Sequence, residues 1–196
     1  MKYVIKEKTR IFKEFFRVDR VDLETETYKD GSMMPIRRYH LERPEVVALV
    51  LENVEAGTIV MVKQFRYSSL KKSDSNGWTT EIVGGLIDPG EEPLECAIRE
   101  TLEETGYQVA SPEYLTSTFA SVGVSDELIY LYYGQVKNTD KVSGGGGLAH
   151  ENEDILVLEI PFGEALEQVV SGKITDSKTI LALQWLALKK AKVAGF

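Results

Sequence analysis

The sequence predicts an α/β (α+β) sandwich, on three observations. Two β-branched, apolar runs, VVALVLEN at residues 46–53 and GTIVMVKQFRY at 57–67, read as paired strands of a core. A helix signature occupies 93–105, with Pro93 suited to its first turn and Gly106 to the left-handed position just past its end. Strand-like runs at 115–120, 128–136 and 155–160 then lead into two helical stretches at 162–171 and 179–192. Strands mixed with helices at these intervals bury a sheet beneath helices.

Taken in order, residues 11–44 read as strand, turn, strand. IFKEFFRVDRVDLETETY has alternating stretches, Lys29-Asp30-Gly31-Ser32 supplies a hairpin turn, and MPIRRYHL follows. Two or three strands seldom stand alone, so this small antiparallel segment, residues 1–44, is expected to lean on the rest of the chain or on a second copy. Pro44 marks the boundary to a main domain at 45–196. Within it, 68–77 is a polar loop, 78–83 a strand and 84–90 turn chemistry. The four glycines 144–147 have enough backbone freedom to predict a mobile loop.

The chain has 196 residues, with 23 Lys+Arg against 31 Asp+Glu and a net charge of −8. That balance argues against a nucleic-acid scaffold, which shows a basic face. With 43% hydrophobic and 28% charged residues the composition is that of an ordinary globular protein. The N-terminal apolar residues are interrupted by Lys or Glu every few positions, and the longest aliphatic run, 46–51, is far too short to span a bilayer. A soluble, cytoplasmic protein with no membrane partner is expected. The single cysteine, Cys96, can close no internal disulfide and build no thiolate metal cage.

The informative stretch is 84–107, GGLIDPGEEPLECAIRETLEETGY. At about 100° per residue, Leu94, Ala97, Ile98, Thr101 and Thr105 share one stripe of the helix, the expected buried face. Glu100 and Glu104 share another, with Glu103 beside them. Carboxylates at i, i+3 and i+4 repel one another unless something positive sits among them. Oxygen-only donors select hard divalent cations, Mg²⁺ or Mn²⁺, and Mg²⁺ recruits substrate phosphates to complete its shell. A metal-assisted phosphoryl or pyrophosphate site is therefore expected.

The spacing carries more than the charge does. Gly85, Glu91, Arg99, Glu100, Glu103, Glu104 and Gly106 fall at the seven fixed positions of a pattern that resembles the Nudix box, the signature of hydrolases that cleave nucleoside diphosphates linked to another group. Thr101 departs from it, standing where the pattern has a larger apolar residue. The resemblance implies a Nudix α/β/α sandwich with a mixed sheet. It also implies that Glu100, Glu104 and the backbone carbonyl of Gly84 are metal ligands, with Glu103 nearby, while Arg99 and Glu91 brace the loop against the helix.

The resemblance covers residues 37–186 and points to the ADP-ribose and nucleoside-diphosphate-sugar pyrophosphatase branch, most specifically through GGGGLAHENED at 144–154. It implies that Glu151 is the general base and Glu153 a further metal ligand. It also implies that Arg66 and Arg38 meet the pyrophosphate or the base, Arg38 arriving from the partner of a homodimer with exchanged N-terminal strands. Glu127 would contact the second sugar, and Leu86 would lie near the base. ADP-ribose hydrolases of this kind carry Ser-Pro-Gly after the box, whereas this chain has Ser121-Val122-Gly123. The glycine loop and the PF..AL segment also resemble GDP-mannose pyrophosphatases. The expected activity is thus Mg²⁺-dependent hydrolysis of ADP-ribose or a related nucleoside diphosphate sugar to a nucleoside monophosphate and a sugar phosphate. A GDP-mannose-preferring enzyme is the rival reading, a triphosphate or cap-removing Nudix hydrolase a second, and a non-catalytic nucleotide-sensing domain a third. In either enzyme reading of this branch the negative surplus has an address. Residues 91–104 carry a net −5 and residues 151–154 a net −3, which together account for the whole −8.

Overall fold

The computed structural model describes residues 1–72 and 74–193, with the side chain of Val193 excepted. The chain divides into two units, residues 1–45 with 119–128, and residues 46–118 with 129–196.

In the first unit β1 (Tyr3–Lys13), β2 (Arg17–Glu26) and β3 (Met33–Glu42) form an antiparallel sheet in the order β1-β2-β3. The first strand begins at Tyr3, well before residue 11. The basic residues that break its apolar pattern are cross-strand partners: Lys6 pairs with Glu24 at 2.9 Å, Lys8 with Asp19 at 2.9 Å, and Arg10 with the same aspartate. Asp19 is the buried residue at the centre of this network, and hydrogen bonds from Arg10 and Lys8 hold its carboxyl at about 2. Residues 119–128 attach to the sheet edge, where the Leu41 amide donates to the Val124 carbonyl at 2.7 Å. The unit gathers no apolar core of its own, and Tyr3, Ile5, Ile11, Phe12, Phe15 and Tyr28 all stand exposed.

The second unit is built on a seven-stranded mixed sheet. It contains β4 (Val46–Asn53), β5 (Thr58–Phe65), β6 (Trp78–Glu81), β7 (Val83–Leu86), β8 (Glu113–Phe119), β9 (Leu128–Val136) and β10 (Leu156–Pro161). The order is β10-β5-β4-β9-β8, with β6 added to β5 and β7 to β4, and β4 runs parallel to β9. Side chains alternate across the strands. Val47, Leu49 and Leu51 of β4 face a cluster with Cys96 and Ala97 of α1 (Pro93–Thr105), while Ala48 and Val50 face one built on α2 (Phe162–Val170) and α3 (Ser177–Val193). Helices cover both faces, the α/β/α sandwich expected from the sequence. Among the described residues no helix is long and apolar enough to cross a membrane.

One local expectation is corrected. Gly84 and Gly85 are not part of a turn but of β7, where they pair with Ala48 and Val47. The turn begins only after Leu86, and this places the two glycines directly beneath α1.

Candidate active site

Helix α1 is delimited by chemistry read from its ends. Glu92 and Glu95 form a capping box at the N-terminus, Pro93 occupies the first turn, and Gly106 closes the helix at φ 77° with its amide on the Leu102 carbonyl. Its buried face differs from the expected stripe. Leu94 is 42% exposed, whereas Cys96, Ala97, Glu100, Thr101, Glu104 and Thr105 are buried. The two principal carboxylates thus point inward, not to solvent.

The glycines of β7 explain how this is possible. A Cβ on Gly85 would overlap the Glu100 carboxylate, and the Gly84 amide donates to Glu104 Oε2 at 3.2 Å. Gly85 leaves the space that the Glu100 carboxylate fills, while Gly84, whose Cβ would meet the Val47 carbonyl at 2.8 Å, serves Glu104 through its amide. Arg99 braces the site from its rim: its guanidinium holds Glu91 bidentately at 2.8 and 3.0 Å, donates to Glu100 Oε1 at 2.8 Å and Glu103 Oε2 at 2.9 Å, and reaches the Leu86 carbonyl at 3.2 Å. Held this way by Arg99, Glu91 sits at about 2.

The inner carboxylates behave in the opposite sense. Burial pushes Glu100 up to about 7, with Glu103 and Glu153 adding to the effect and Arg99 opposing it. Glu104 is raised well above the usual carboxylate range by burial first, then by Glu100 and Glu153, against the Gly84 amide and Arg66. Two buried carboxylates offer hard oxygen donors of the type that Mg²⁺ or Mn²⁺ takes, so Glu100 and Glu104 are the residues here that could hold such an ion. Among the described residues no three acidic, His or Cys side chains stand close enough to hold an ion as they are. Arg99 engages Glu100 and Glu103 instead.

The glycine run is not the mobile loop expected of it. Gly145, Gly146 and Gly147 all adopt positive φ, and the segment is fastened to the C-terminal end of α1: Gly146 N–H donates to the Glu104 carbonyl at 2.9 Å, Gly147 N–H to Glu103 at 3.1 Å, and Val142 N–H to Gly106 at 2.8 Å. The orphan carbonyls of a helix terminus supply the order that the glycines alone lack. From this anchor the chain turns through residues 148–154, where the Leu148 amide donates to Glu153 Oε2 at 3.0 Å. Glu153 is thereby held among the groups that act on Glu100 and Glu104.

Residues 42–169 match the NUDIX domain family. This chain belongs to the Nudix family. It is 38% identical over 163 residues to a GDP-mannose pyrophosphatase of Cronobacter sakazakii, covering 83% of this chain and 84% of that one. It is 35% identical over 162 residues to proteins of the same name from Escherichia coli and Shigella dysenteriae, covering 83% of both chains in each comparison. A crystal structure titled ADP compounds hydrolase superposes with a TM-score of 0.75 at 20% identity, covering 100% of this chain and 97% of that one, a likeness of fold.

The remaining candidates lie on other elements. Leu86 is exposed at the end of β7. Glu151 is exposed on a short turn, Ala149–Glu151, with the His150 imidazole 3.6 Å away. Arg38 lies on β3 of the first unit, exposed, its guanidinium on the carbonyl of Arg37. Glu127, in the same unit, pairs with Arg43 at 3.2 Å. Arg66 follows β5 and is held by a residue that sequence reasoning missed, Glu81, in a bidentate pair at 2.9 and 3.0 Å. Glu81 is buried on β6 and also receives Lys178 at 2.7 Å. A lone carboxylate on a short strand leading straight into the box was the available signal.

Proposed function

We propose that this Nudix protein hydrolyses the pyrophosphate bond of nucleoside diphosphate sugars, releasing a nucleoside monophosphate and a sugar phosphate. GDP-mannose is the preferred substrate on this reading and ADP-ribose the alternative. The observation that carries it is the buried Glu100–Glu104 pair packed against the glycines of β7, set in a box of the right spacing. The names of its relatives and the Ser121-Val122-Gly123 sequence favour GDP-mannose.

Glu100, Glu104, Glu153 and the Gly84 carbonyl would hold Mg²⁺ or Mn²⁺. Such ions neutralise the pyrophosphate and lower the pKa of bound water. Glu151 is the general base, taking the proton of the attacking water as its oxygen bonds to phosphorus and the bridging P–O bond breaks. Arg66 and Arg38 bind the pyrophosphate or stack on the base, Glu127 contacts the second sugar and Leu86 the base. Arg38 comes from the partner in a homodimer with exchanged N-terminal strands, a reading supported by the exposed apolar side chains of the β1–β3 sheet. Its setting is the cytoplasm.

The test is a turnover panel of GDP-mannose, ADP-ribose and dGTP with Mg²⁺ and with Mn²⁺, products separated by ion-exchange chromatography. Monophosphate and sugar phosphate from the nucleotide sugars, with dGTP a poor substrate, is the expected result. No hydrolysis of any nucleotide sugar with either ion would replace the enzyme reading with a nucleotide-sensing one.

A further inference from the structure

The run of four glycines invites the reading of a hinge, but its contacts are those of a strut. We infer that Gly145 and Gly147 are positioning residues for the metal site, fixing where Glu153 stands relative to the carboxylates of α1. This rests on the proposal above that Glu153 is a metal ligand.

Each glycine is required for a different reason. A Cβ on Gly145 would come within 2.5 Å of the Glu104 carbonyl oxygen and of the Thr105 carbonyl carbon, both backbone atoms of the helix end that cannot move aside. Gly145 therefore sets how closely the segment approaches α1, and its neighbours Gly146 and Gly147 complete the seam with their bonds to Glu104 and Glu103. A Cβ on Gly147 would lie 2.6 Å from Glu153 Oε2 and 2.7 Å from Glu153 Cβ. Here the obstacle is the proposed ligand itself. The Glu153 side chain folds back over Gly147, accepts the Leu148 amide at 3.0 Å, and its own amide donates to the Leu148 carbonyl at 3.3 Å. Beyond it, the Ile155 amide returns to the Gly146 carbonyl at 3.2 Å. Residues 148–154 thus form a closed turn standing on a base bonded to the main chain of Glu103 and Glu104. The same two residues carry side chains at the site, so the strut ties ligand and helix together through the backbone.

Gly144 supplies an internal control. A Cβ there meets nothing within 4 Å, and its φ is not in the left-handed region, unlike those of the next three glycines. A purely flexible loop would tolerate alanine equally at all four positions.

The experiment compares Gly144→Ala, Gly145→Ala, Gly147→Ala and Glu153→Gln in the full chain. Mn²⁺ binding is read by titration calorimetry and by electron paramagnetic resonance of the free ion, thermal melting monitors the fold, and kcat and KM are measured in parallel. Supporting groups around a metal typically change affinity by about 10-fold to 100-fold when lost. Gly147→Ala is expected to weaken Mn²⁺ binding about tenfold and to raise the Mn²⁺ concentration for half-maximal kcat, with Gly144→Ala indistinguishable from wild type. Should Gly145→Ala fail to fold, Gly147→Ala carries the test, because its clash is with a side chain. If Glu153→Gln weakens Mn²⁺ binding and Gly147→Ala does not, the strut is overturned and the ligand reading stands. If Glu153→Gln binds Mn²⁺ as wild type does, the ligand reading falls and the inference with it.

Discussion

The Arg66 guanidinium lies fork to fork against the Glu81 carboxylate, Nε to Oε1 at 2.9 Å and Nη2 to Oε2 at 3.0 Å. Glu81 is buried and Arg66 half-exposed, so one edge of the guanidinium is fixed while the rest faces outward. An arginine held this way reaches a phosphate at less entropic cost than a free one. Glu81→Gln is expected to raise KM for the nucleotide sugar several-fold with a smaller change in kcat, as steady-state kinetics would show. It should also destabilise the fold by about 2 kcal/mol, below the 3–5 kcal/mol of a fully buried pair because Arg66 is part-solvated.

Glu81 also predicts an acid limit. Burial works to raise its pKa, but Arg66 and Lys178 outweigh burial and hold it at about 2, well below the usual carboxylate range. A depressed carboxylate contributes stability that is present above its unfolded pKa and lost as pH falls toward the folded one. The difference in thermal midpoint between wild type and Glu81→Gln should therefore be full above about pH 4.5 and shrink between there and pH 2. A difference that stays constant across that window would assign the effect to packing.

Thr101, the departure from the Nudix box, is fully buried, and its hydroxyl donates to the Ala97 carbonyl at 2.6 Å. Because the hydroxyl finds its partner within its own helix, valine of similar volume should cost no more than about 1 kcal/mol and leave kcat unchanged. Leucine, the larger residue, should overpack the cluster with Cys96 and Ala97 by about 1–3 kcal/mol. Chemical denaturation of the two variants measures both.

How much of this was legible beforehand follows from where the determinants lie. Helix α1 could be bounded to the residue because Pro93 and Gly106 act locally, and the carboxylate spacing could be read because it is a pattern in sequence. Strand β1 escaped notice because its lysines are satisfied by Glu24 and Asp19 on a neighbouring strand, which only pairing reveals. Gly84 and Gly85 looked like a turn because what they serve, the close approach of the β4 backbone at Gly84 and the room for Glu100 at Gly85, belongs to neighbouring elements. The order of 145–147 was hidden for the same reason: the bonds come from the carbonyls of Glu103, Glu104 and Gly106, about forty residues earlier. Helical periodicity put Leu94 on the buried stripe and the glutamates on a separate one, because it has no term for a glycine floor beneath a carboxylate.

Glu104 is buried and, among the described residues, accepts a hydrogen bond from the Gly84 amide at 3.2 Å, so a negative charge there is poorly compensated by the protein alone. Removing that charge should have opposite effects in the two states. In EDTA, Glu104→Gln is expected to melt no lower than wild type. With Mg²⁺ or Mn²⁺ present the wild type should gain thermal stability that the variant does not, since an ion binding only the folded chain stabilises it by mass action. Turnover should fall at least about 100-fold, because charge stabilisation by a metal is worth several kcal/mol and about 1.4 kcal/mol is a decade in rate. Equal metal-induced shifts in the two proteins would move the ion away from Glu104.

The base assignment makes the sharpest kinetic demand. Glu151 is exposed on its turn, with the His150 imidazole 3.6 Å away, and a general base acts on the attacking water, not on the binding of substrate. General base catalysis is typically worth about 10²–10⁴ in rate. Glu151→Gln is therefore expected to lower kcat by about that factor with KM within about threefold of wild type, and metal affinity by titration calorimetry should be unchanged. Glu153→Gln, if Glu153 is a ligand, should differ in kind: activity partly restored by raising the metal concentration, which no excess of metal can do for the loss of a base. Full turnover in Glu151→Gln would place the base on another residue, and rescue of that variant by metal would make Glu151 a ligand.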